Sequence, residues 1–275
     1  MSLLVELQGL MAEYRFRPNH GMSQNFIIDE SLIESMISAA DLKKNDVVLE
    51  VGCGTGFLTQ RLLEHCKVVG YEKDEKMAEI LQKKFGENEN FKLVQEDFVS
   101  AKLPKFTKFV SLPPYNISTA LVIKLFSAAP KRSVIVLQKE FVEKLIAEPG
   151  FWDYNYISVL TLLRFNPFLI IKNIRPKSFF PSPESFSSLI YLEGKKSARK
   201  IDDEETFVFF VKTIFRYKNK NLSNAIRNSL NDLERKIKIN KKKLNEILAD
   251  ENLTSEKVSL IEPEVFAEIF MKISQ

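Results

Sequence analysis

The chain has 275 residues, of which 45% are hydrophobic and 28% are charged. This length and composition allow one large or two smaller folded domains with a sizeable core, and they exclude a disordered chain. The net charge of +4 is too small to indicate nucleic-acid binding by itself, and two cysteines without other metal ligands nearby exclude a zinc site or a disulfide framework.

The N-terminal segment carries spaced leucines that Glu6 and Glu13 interrupt. It lacks a basic start and a long apolar run, so neither a signal peptide nor a membrane span is indicated. We predict an amphipathic helix or arm here. Because both cysteines are expected to be reduced, we also expect a cytoplasmic protein that has no membrane partner.

Short apolar runs alternate with helical patterns from about residue 28 to 192. The runs are rich in Val, Ile, Leu and Phe with little alternation, which is typical of strands buried on both faces of a parallel sheet. Leu160–Ile171 and Ser188–Leu192 can complete this sheet as an antiparallel pair. We therefore predict a doubly wound α/β domain over residues 1–193. Its strands are Val47–Val51, Lys67–Glu72, Phe91–Gln95, Lys108–Leu112 and Ser133–Leu137, and its helices include Leu58–His65, Glu75–Phe85, Thr119–Ala128 and Glu140–Glu148.

The composition changes after Glu193. Gly194–Lys200 is polar and basic, as expected of a linker. From Phe207 onward, apolar residues recur at three- and four-residue spacing, which is typical of helices. We predict a small all-helical domain over residues 201–275.

A glycine-rich loop, Glu50–Gly56, follows the first predicted strand and reads Glu-Val-Gly-Cys-Gly-Thr-Gly. Glycines suit a sharp turn at which a ligand approaches the backbone with no Cβ in the way. Phe57 stands where the dinucleotide-binding fingerprint has its third glycine, which disfavours a dehydrogenase.

Acidic residues stand at the ends of three predicted strands, at Glu50, Glu72 and Asp97. Open α/β sheets bind ligands at the carboxyl ends of their strands, where Glu72 can accept hydrogen bonds from two ribose hydroxyls and Asp97 can bind an adenine amino group. Together with the glycine loop, these acids resemble the cofactor site of class I methyltransferases. The resemblance implies a Rossmann-like fold with a mixed seven-stranded sheet, S-adenosylmethionine as methyl donor, and catalysis mainly by positioning.

The fourth predicted strand leads into a loop that contains Pro113, Pro114 and Tyr115. Methyltransferases that act on exocyclic amines resemble one another here, with Asn or Asp followed by Pro-Tyr or Pro-Phe. The prolines stiffen the loop, and Tyr115 offers a ring face to a base taken out of its stack. The polar residue and a backbone carbonyl would accept hydrogen bonds from the amine.

Further fragments, in the same order, resemble the ribosomal RNA adenine N6-dimethyltransferases with their erythromycin-resistance and mitochondrial relatives. The resemblance covers about residues 20–230 and no metal is implied. It is carried by Ser23–Ile27, Gln138–Glu140, Pro149–Gly150, Tyr154–Val159, Phe179–Pro183 and Phe215–Leu222. It implies cofactor contacts for Gln24, Asn25, Ile27, Gly52, Gly54, Glu72, Lys73, Asp97, Phe98 and Ser111. It implies a target-base site at Ser111, Leu112, Pro113, Pro114 and Tyr115, with Phe179 or Phe180 at the other face of the base.

One departure from the family concerns catalysis. Aligned on Pro114-Tyr115, the family's Asn falls at Leu112, whose side chain accepts no hydrogen bond. Either Ser111 or the Pro113 carbonyl positions the amine, or the chain methylates poorly and serves mainly as a ribosome-assembly factor. Loss of one positioning hydrogen bond costs about 10²–10³-fold in rate. Ser23 and Asn155 are lesser departures, since both replace a family glycine.

Basic residues are concentrated towards the C-terminus, and acids are sparse between Lys212 and Asn231. Such residues attract the phosphate backbone without reading its sequence. The resemblance implies RNA contacts for Arg216, Lys218, Lys220 and Arg227, whereas Lys241–Lys243 is more typical of a solvated face.

We expect a monomer that methylates small-subunit ribosomal RNA on the pre-ribosomal subunit. A methyltransferase for DNA or a small molecule is the remaining alternative, and the basic helical domain argues against a small molecule.

Overall fold

The computed structural model describes residues 2–196, 201–250 and 255–274. These residues form two compact units. The first unit runs to Leu121 and adds Ala128–Val142 and Pro167–Gly194, and the second comprises Val122–Ser127, Glu143–Asn166 and the described residues after Gly194. Residues 197–200 of the predicted linker lie outside the described residues.

The strands form one large sheet and one small sheet. In chain order they are β1 (Phe26–Ile27), β2 (Val47–Val51), β3 (Lys67–Tyr71), β4 (Phe91–Val94), β5 (Lys108–Ser111), β6 (Arg132–Gln138), β7 (Phe165–Ile174), β8 (Phe179–Phe180) and β9 (Ser187–Gly194). The large sheet has the order β4-β3-β2-β5-β6-β9-β7, and β1 pairs with β8. Strands β2 to β6 pair in parallel, whereas β9 is antiparallel to β6. The predicted mixed seven-stranded sheet is therefore confirmed.

The central strands are buried on both of their faces. Adjacent residues of a strand point to opposite faces of the sheet. Val48 and Leu49 in β2 are both fully buried, as are Val134 and Ile135 in β6. Because neither face meets water, these strands carry apolar residues without the alternation of a half-exposed strand.

The helices, in chain order, are α1 (Leu3–Glu13), α2 (Glu30–Ala40), α3 (Phe57–Leu63), α4 (Glu75–Phe85), α5 (Ser118–Ala128), α6 (Lys139–Ile146), α7 (Tyr156–Arg164), α8 (Glu204–Ile214), α9 (Leu222–Leu233), α10 (Lys241–Ala249) and α11 (Pro263–Ile273). Asp29 and Asp74 fix where α2 and α4 begin, because each side chain accepts hydrogen bonds from backbone N–H groups of the first turn. The described part of the chain contains no helix with the length and apolar character needed to cross a membrane.

One predicted strand, Leu160–Ile171, is wrong over its first half. Residues up to Arg164 belong to helix α7, and only then does β7 begin. Asn155 starts the helix with a capping box, since its side chain accepts from the Ile157 N–H and its own N–H donates to the Ser158 hydroxyl. Almost every α7 side chain is buried, so the helical period does not show in the sequence.

The second unit is built from helices around an aromatic core. Phe207, Phe210 and Phe270 pack together, with ring centroids 5.4 and 5.7 Å apart for the two pairs that include Phe270. The Tyr154 hydroxyl donates to the Ile261 carbonyl at 2.8 Å. The helical C-terminal region is therefore confirmed. Helix α7, however, is also part of this unit, so the domain boundaries at residues 193 and 201 stay a prediction.

Candidate active site

A cleft opens in the first unit at the carboxyl ends of β2, β3 and β5 and encloses about 890 Å³, including its open mouth. Segments 21–26, 71–73, 96–98 and 112–117 form its wall together with the glycine loop. The wall includes most of the predicted cofactor residues, namely Gln24, Asn25, Gly52, Gly54, Glu72, Lys73, Asp97 and Phe98.

The glycine loop passes through the wall in a conformation that side chains disfavour. Gly52 and Gly54 have φ values of 73° and 55°. A Cβ on Gly52 would lie 2.8 Å from Cδ of Pro114, and a Cβ on Gly54 would lie 3.2 Å from the Phe26 ring. The loop therefore presents bare backbone to the cleft, as a bound cofactor requires.

Glu72 lies directly after β3, with its carboxylate held by the loop. One oxygen accepts from the Gly54 N–H at 2.9 Å, and the other accepts from the N–H groups of Lys73 and Asp74, each at 2.9 Å. Burial raises the pKa of Glu72, while these three N–H groups oppose that shift by favouring the carboxylate. The arrangement fixes an acceptor at the strand tip, which fits the two hydroxyls of a ribose.

Asp97 and Phe98 form the next part of the wall. The Asp97 carboxylate pairs with the Lys73 ammonium at 3.1 Å and accepts from the Val99 N–H at 2.9 Å. Phe98 is buried and packs edge-on against Tyr71, with ring centroids 5.7 Å apart. An apolar ring beside an oriented carboxylate fits a purine that carries an amino group.

Gln24 and Asn25 enter the wall from the segment before β1. The Gln24 amide donates to the Asp74 carboxylate at 3.0 Å, and the Asn25 amide donates to the Ser23 carbonyl at 3.2 Å. Ser23, at a family glycine position, has φ of 51°, in the left-handed region that glycine occupies most easily. Asn155, at the other such position, has an extended backbone with φ of −156°, so no glycine is required there.

Ser111 does not line the cleft, and both roles predicted for it stay predictions. Its side chain is fully buried, and its hydroxyl donates to the Val51 carbonyl at 2.7 Å. Leu112, Pro113, Pro114 and Tyr115 do line the cleft. The Pro114 and Tyr115 carbonyls accept bonds within the loop, whereas no donor in the described part of the chain contacts the carbonyls of Leu112 or Pro113.

Tyr115 presents its ring from a fixed position. Its hydroxyl lies 2.6 Å from Oγ of Ser187, and burial raises the pKa of Tyr115 although the Ser187 hydrogen bond opposes that shift. The phenol therefore stays neutral. A neutral, anchored ring suits stacking against a base, not proton transfer.

Two of the predicted aromatic and apolar site residues are part of the core. Ile27 and Phe179 pair across β1 and β8, and both are buried, with Phe179 only 1% exposed. Phe180 pairs with Phe26, which lines the cleft, but neither Phe179 nor Phe180 forms the cleft wall. Ile27 lines a second, smaller pocket that shares Phe26 with the cleft. Of the two rings predicted to face the base, Phe180 alone is partly exposed.

Glu50 is more deeply buried than the other two strand-end acids, since Glu72 is 8% exposed and Asp97 is exposed. Glu50 itself is 1% exposed, and its carboxyl group accepts from the Thr59 hydroxyl at 2.7 Å. Burial raises the pKa of Glu50 to about 8, and the Thr59 hydrogen bond opposes that shift. Glu50 therefore lies beneath the loop and lines a second, smaller pocket that shares Gly52 and Gly54 with the cleft, but not the cleft itself.

This pKa makes stability depend on pH. The folded protein binds the Glu50 proton more tightly than the unfolded chain does. The contribution of Glu50 to the free energy of unfolding is therefore present at low pH and is lost as the pH rises towards about 8. Between pH 6 and 9 we expect the free energy of unfolding of the wild type to fall by a Glu50 contribution of order 2 kcal/mol. In Glu50→Gln this contribution should be absent, because glutamine does not titrate. Urea unfolding at both pH values measures it. The exposed Glu79→Gln is the matched control, and an unchanged pH dependence in Glu50→Gln would contradict the assignment.

Several cleft residues were not predicted from the sequence. Glu96 and Met22 line the wall beside predicted residues, but neither belongs to a recognisable pattern. Asn116 and Ile117 continue the Pro-Tyr loop and also line the wall. Their position directly after Tyr115 is the one feature of the sequence that could have indicated them.

The predicted RNA-binding residues lie in the second unit. Arg216, Lys218 and Lys220 are in or just after the 3₁₀ turn Phe215–Tyr217, and Arg227 is exposed on α9. The Arg216 guanidinium is paired with Asp232 at 2.6 Å. The structure thus brings three of the four together in one turn, and their contact with RNA stays a prediction.

The chain is similar to known proteins over almost its whole length. A family model described as ribosomal RNA adenine dimethylase matches residues 15–264. A "probable ribosomal RNA small subunit methyltransferase A" of Methanopyrus kandleri is 32% identical over 265 residues, covering 94% of each chain. The protein of the same name from Pyrococcus furiosus is 33% identical over 269 residues, covering 96% of this chain and 95% of the relative.

Two solved structures share the fold and part of the sequence. A dimethyladenosine transferase from Plasmodium falciparum superposes with a TM-score of 0.76 at 26% identity, covering 90% of this chain and 96% of that one. The 23S rRNA methyltransferase ErmE superposes with a TM-score of 0.64 at 25% identity, covering 91% and 100%. The similarity therefore extends through both compact units.

Proposed function

Because the chain belongs to the ribosomal RNA adenine dimethylase family, we propose that it transfers methyl groups from S-adenosylmethionine to N6 of adenines in small-subunit ribosomal RNA. The observation that carries the proposal is the cleft itself, in which bare glycine backbone, Glu72 and Asp97 meet at the strand tips beside Tyr115. The names of the relatives favour an enzyme over an assembly factor without activity.

The residues of the cleft fit the cofactor part by part. Glu72 would accept hydrogen bonds from the ribose hydroxyls. Asp97, oriented by its ion pair with Lys73, would accept a hydrogen bond from the adenine amino group. The bare backbone of Gly52 and Gly54 would lie against the cofactor. S-adenosylmethionine supplies a methyl group that is already activated on a sulfonium. The protein's contribution is therefore mainly alignment of the amine with that methyl.

The target adenine would be held by the loop after β5. Tyr115 offers a neutral ring, and the Leu112 and Pro113 carbonyls, which no donor in the described part of the chain contacts, would accept a hydrogen bond from the amine. A hydrogen bond from the amine to one of these carbonyls would direct its lone pair towards the methyl group. Bound S-adenosylmethionine would supply the methyl group, and the nitrogen that receives it would release a proton to solvent.

We place the substrate on the pre-ribosomal small subunit and expect a cytoplasmic monomer. Both cysteines are free and buried, which suits a reducing compartment. The basic turn at Arg216, Lys218 and Lys220 supports an RNA substrate, because it adds salt-dependent affinity for phosphates.

Labelled S-adenosylmethionine incubated with unmethylated small subunits tests the proposal. We expect the label in RNA, as N6-methylated or N6,N6-dimethylated adenosine by mass spectrometry. Naked ribosomal RNA and the large subunit are the controls for substrate choice. Absence of label in small-subunit RNA, from a protein that binds the cofactor, would reject the enzyme in favour of the assembly factor.

A further inference from the structure

An exposed apolar patch lies on the second unit. Trp152 is 84% exposed and Phe151 is 65% exposed, with Leu260 beside them. None of them lines the cleft. Because burial of such side chains is favourable, adjacent rings left this open indicate a surface that binds something.

The backbone beneath these rings is held by two neighbouring segments. The Gly150 N–H donates to the Ser259 carbonyl at 2.8 Å, and the Ser259 N–H donates to the Lys218 carbonyl at 3.0 Å. The Tyr154 N–H closes the turn on the Phe151 carbonyl at 3.1 Å. The rings are therefore mounted on a fixed turn that is joined to the basic segment.

Lys218 covers one side of the indole ring. Its ammonium lies 4.9 Å from the Trp152 ring centroid and donates to the Trp152 carbonyl at 3.2 Å. This cation–π contact orients the ring, and the exposure of Trp152 leaves its other face open. Phe151, Trp152, Lys218 and Leu260 are called the Trp152 platform below.

We propose that the Trp152 platform binds an unpaired RNA base, which stacks on the open face of the indole while Lys218 contacts the flanking phosphate. This inference rests on the proposed function, in that RNA is the substrate. Every base has a π-face, so an aromatic ring beside a cation captures unpaired nucleotides irrespective of sequence. Lys220 is exposed two residues after Lys218 and would extend the positive charge along the bound RNA.

Trp152 is the one tryptophan of the chain, so its fluorescence reports on the platform directly. Titration with a single-stranded oligoribonucleotide is expected to quench it. Inorganic polyphosphate, which carries the charge but has no base, is expected to bind without equivalent quenching. Quenching that is equal for both ligands, or absent with RNA, would overturn the proposal.

Matched variants separate stacking from charge and from folding. Trp152→Ala is expected to weaken oligoribonucleotide affinity about tenfold, and Trp152→Phe to retain most of it, because a smaller ring still stacks. Lys218→Gln is expected to reduce the slope of the logarithm of affinity against the logarithm of salt concentration by about one, because one phosphate contact is lost. Phe168→Ala, which removes another exposed ring, is the control and should leave RNA affinity unchanged.

The outcomes also separate this inference from the proposed function. Methyl transfer by the wild type with unchanged RNA affinity in Trp152→Ala would overturn the platform alone. Stacking by Trp152 in a protein that transfers no methyl would instead overturn the proposed activity. If Trp152→Ala weakened binding to intact subunits but not to isolated RNA, the platform would bind a protein and the proposal would be wrong.

Discussion

Replacing Leu112 by Asn is expected to accelerate methyl transfer to small-subunit RNA about 10²–10³-fold. Leu112 lines the cleft at the position of the family's amide, and Asn is close to it in size. The new side-chain carbonyl would accept a hydrogen bond from the adenine amine. In the variant, that hydrogen bond would hold the nitrogen in line with the methyl group. In the wild type, only backbone carbonyls are available for this, and they would hold the nitrogen less firmly.

Single-turnover transfer from labelled S-adenosylmethionine measures this gain. Leu112→Ala is the matched control, because it shortens the side chain without adding an acceptor, and it should show no acceleration. Cofactor affinity should be the same in both variants and in the wild type. If Leu112→Asn is no faster than the wild type, the Leu112 and Pro113 carbonyls already position the amine fully and our account of the departure is wrong.

Replacing Glu72 by Gln is expected to weaken S-adenosylmethionine binding about 10- to 100-fold, because hydrogen bonds to a charged acceptor contribute about 1.5–3 kcal/mol. The wild-type carboxylate already accepts three backbone N–H groups. A glutamine amide would turn an N–H donor towards some of these donors. The loop would lose part of its support as well as the acceptor for the ribose.

Calorimetric titration with S-adenosylmethionine measures the loss, and circular dichroism checks that the fold is retained. Glu75→Gln is the matched control, since it removes an equal charge from an exposed position three residues along the chain. A dissociation constant within twofold of the wild type in Glu72→Gln would show that this carboxylate does not bind the ribose.

Much of the cleft could be predicted from the sequence because its parts stand next to buried strands. A strand that is apolar on both faces is easily located, and the residues that follow it must emerge at the sheet edge. Glu72 comes directly after β3 and lines the cleft as predicted. Asp97 follows β4 after a short turn and also lines it.

Glu50 shows where this reasoning fails. It is the last residue but one of β2, whereas Glu72 lies beyond the end of β3. Glu50 lies opposite Gly70 in the pairing of β2 with β3, two residues before the position of Glu72, so its carboxylate stays among the paired strands, whereas Glu72 lies beyond the last pair. Strand ends cannot be located to one residue from sequence patterns, so the two acids look alike until the structure is known.

The burial of Ser111 and Phe179 and the helical conformation of α7 could not be predicted from the sequence for a different reason. Their environments depend on contacts with residues far away in the chain, such as Val51 for Ser111 and Ile27 for Phe179. A hydroxyl or a ring carries no local indication of whether it faces a cavity or the core. The sequence of α7 likewise lacks the helical spacing of apolar and polar residues, because the helix is buried on nearly all sides.

The interleaved segments of the second unit have a consequence for synthesis on the ribosome. Val122–Ser127 and Glu143–Asn166 leave the ribosome early, yet their partners include Phe207 and Ile261, which are translated much later. Apolar residues such as Phe126 and Tyr154 therefore remain exposed to solvent until the C-terminal helices have left the ribosome. A nascent chain halted near residue 193 would be prone to aggregation, because the second unit folds only once the helices after Asp203 have been synthesised.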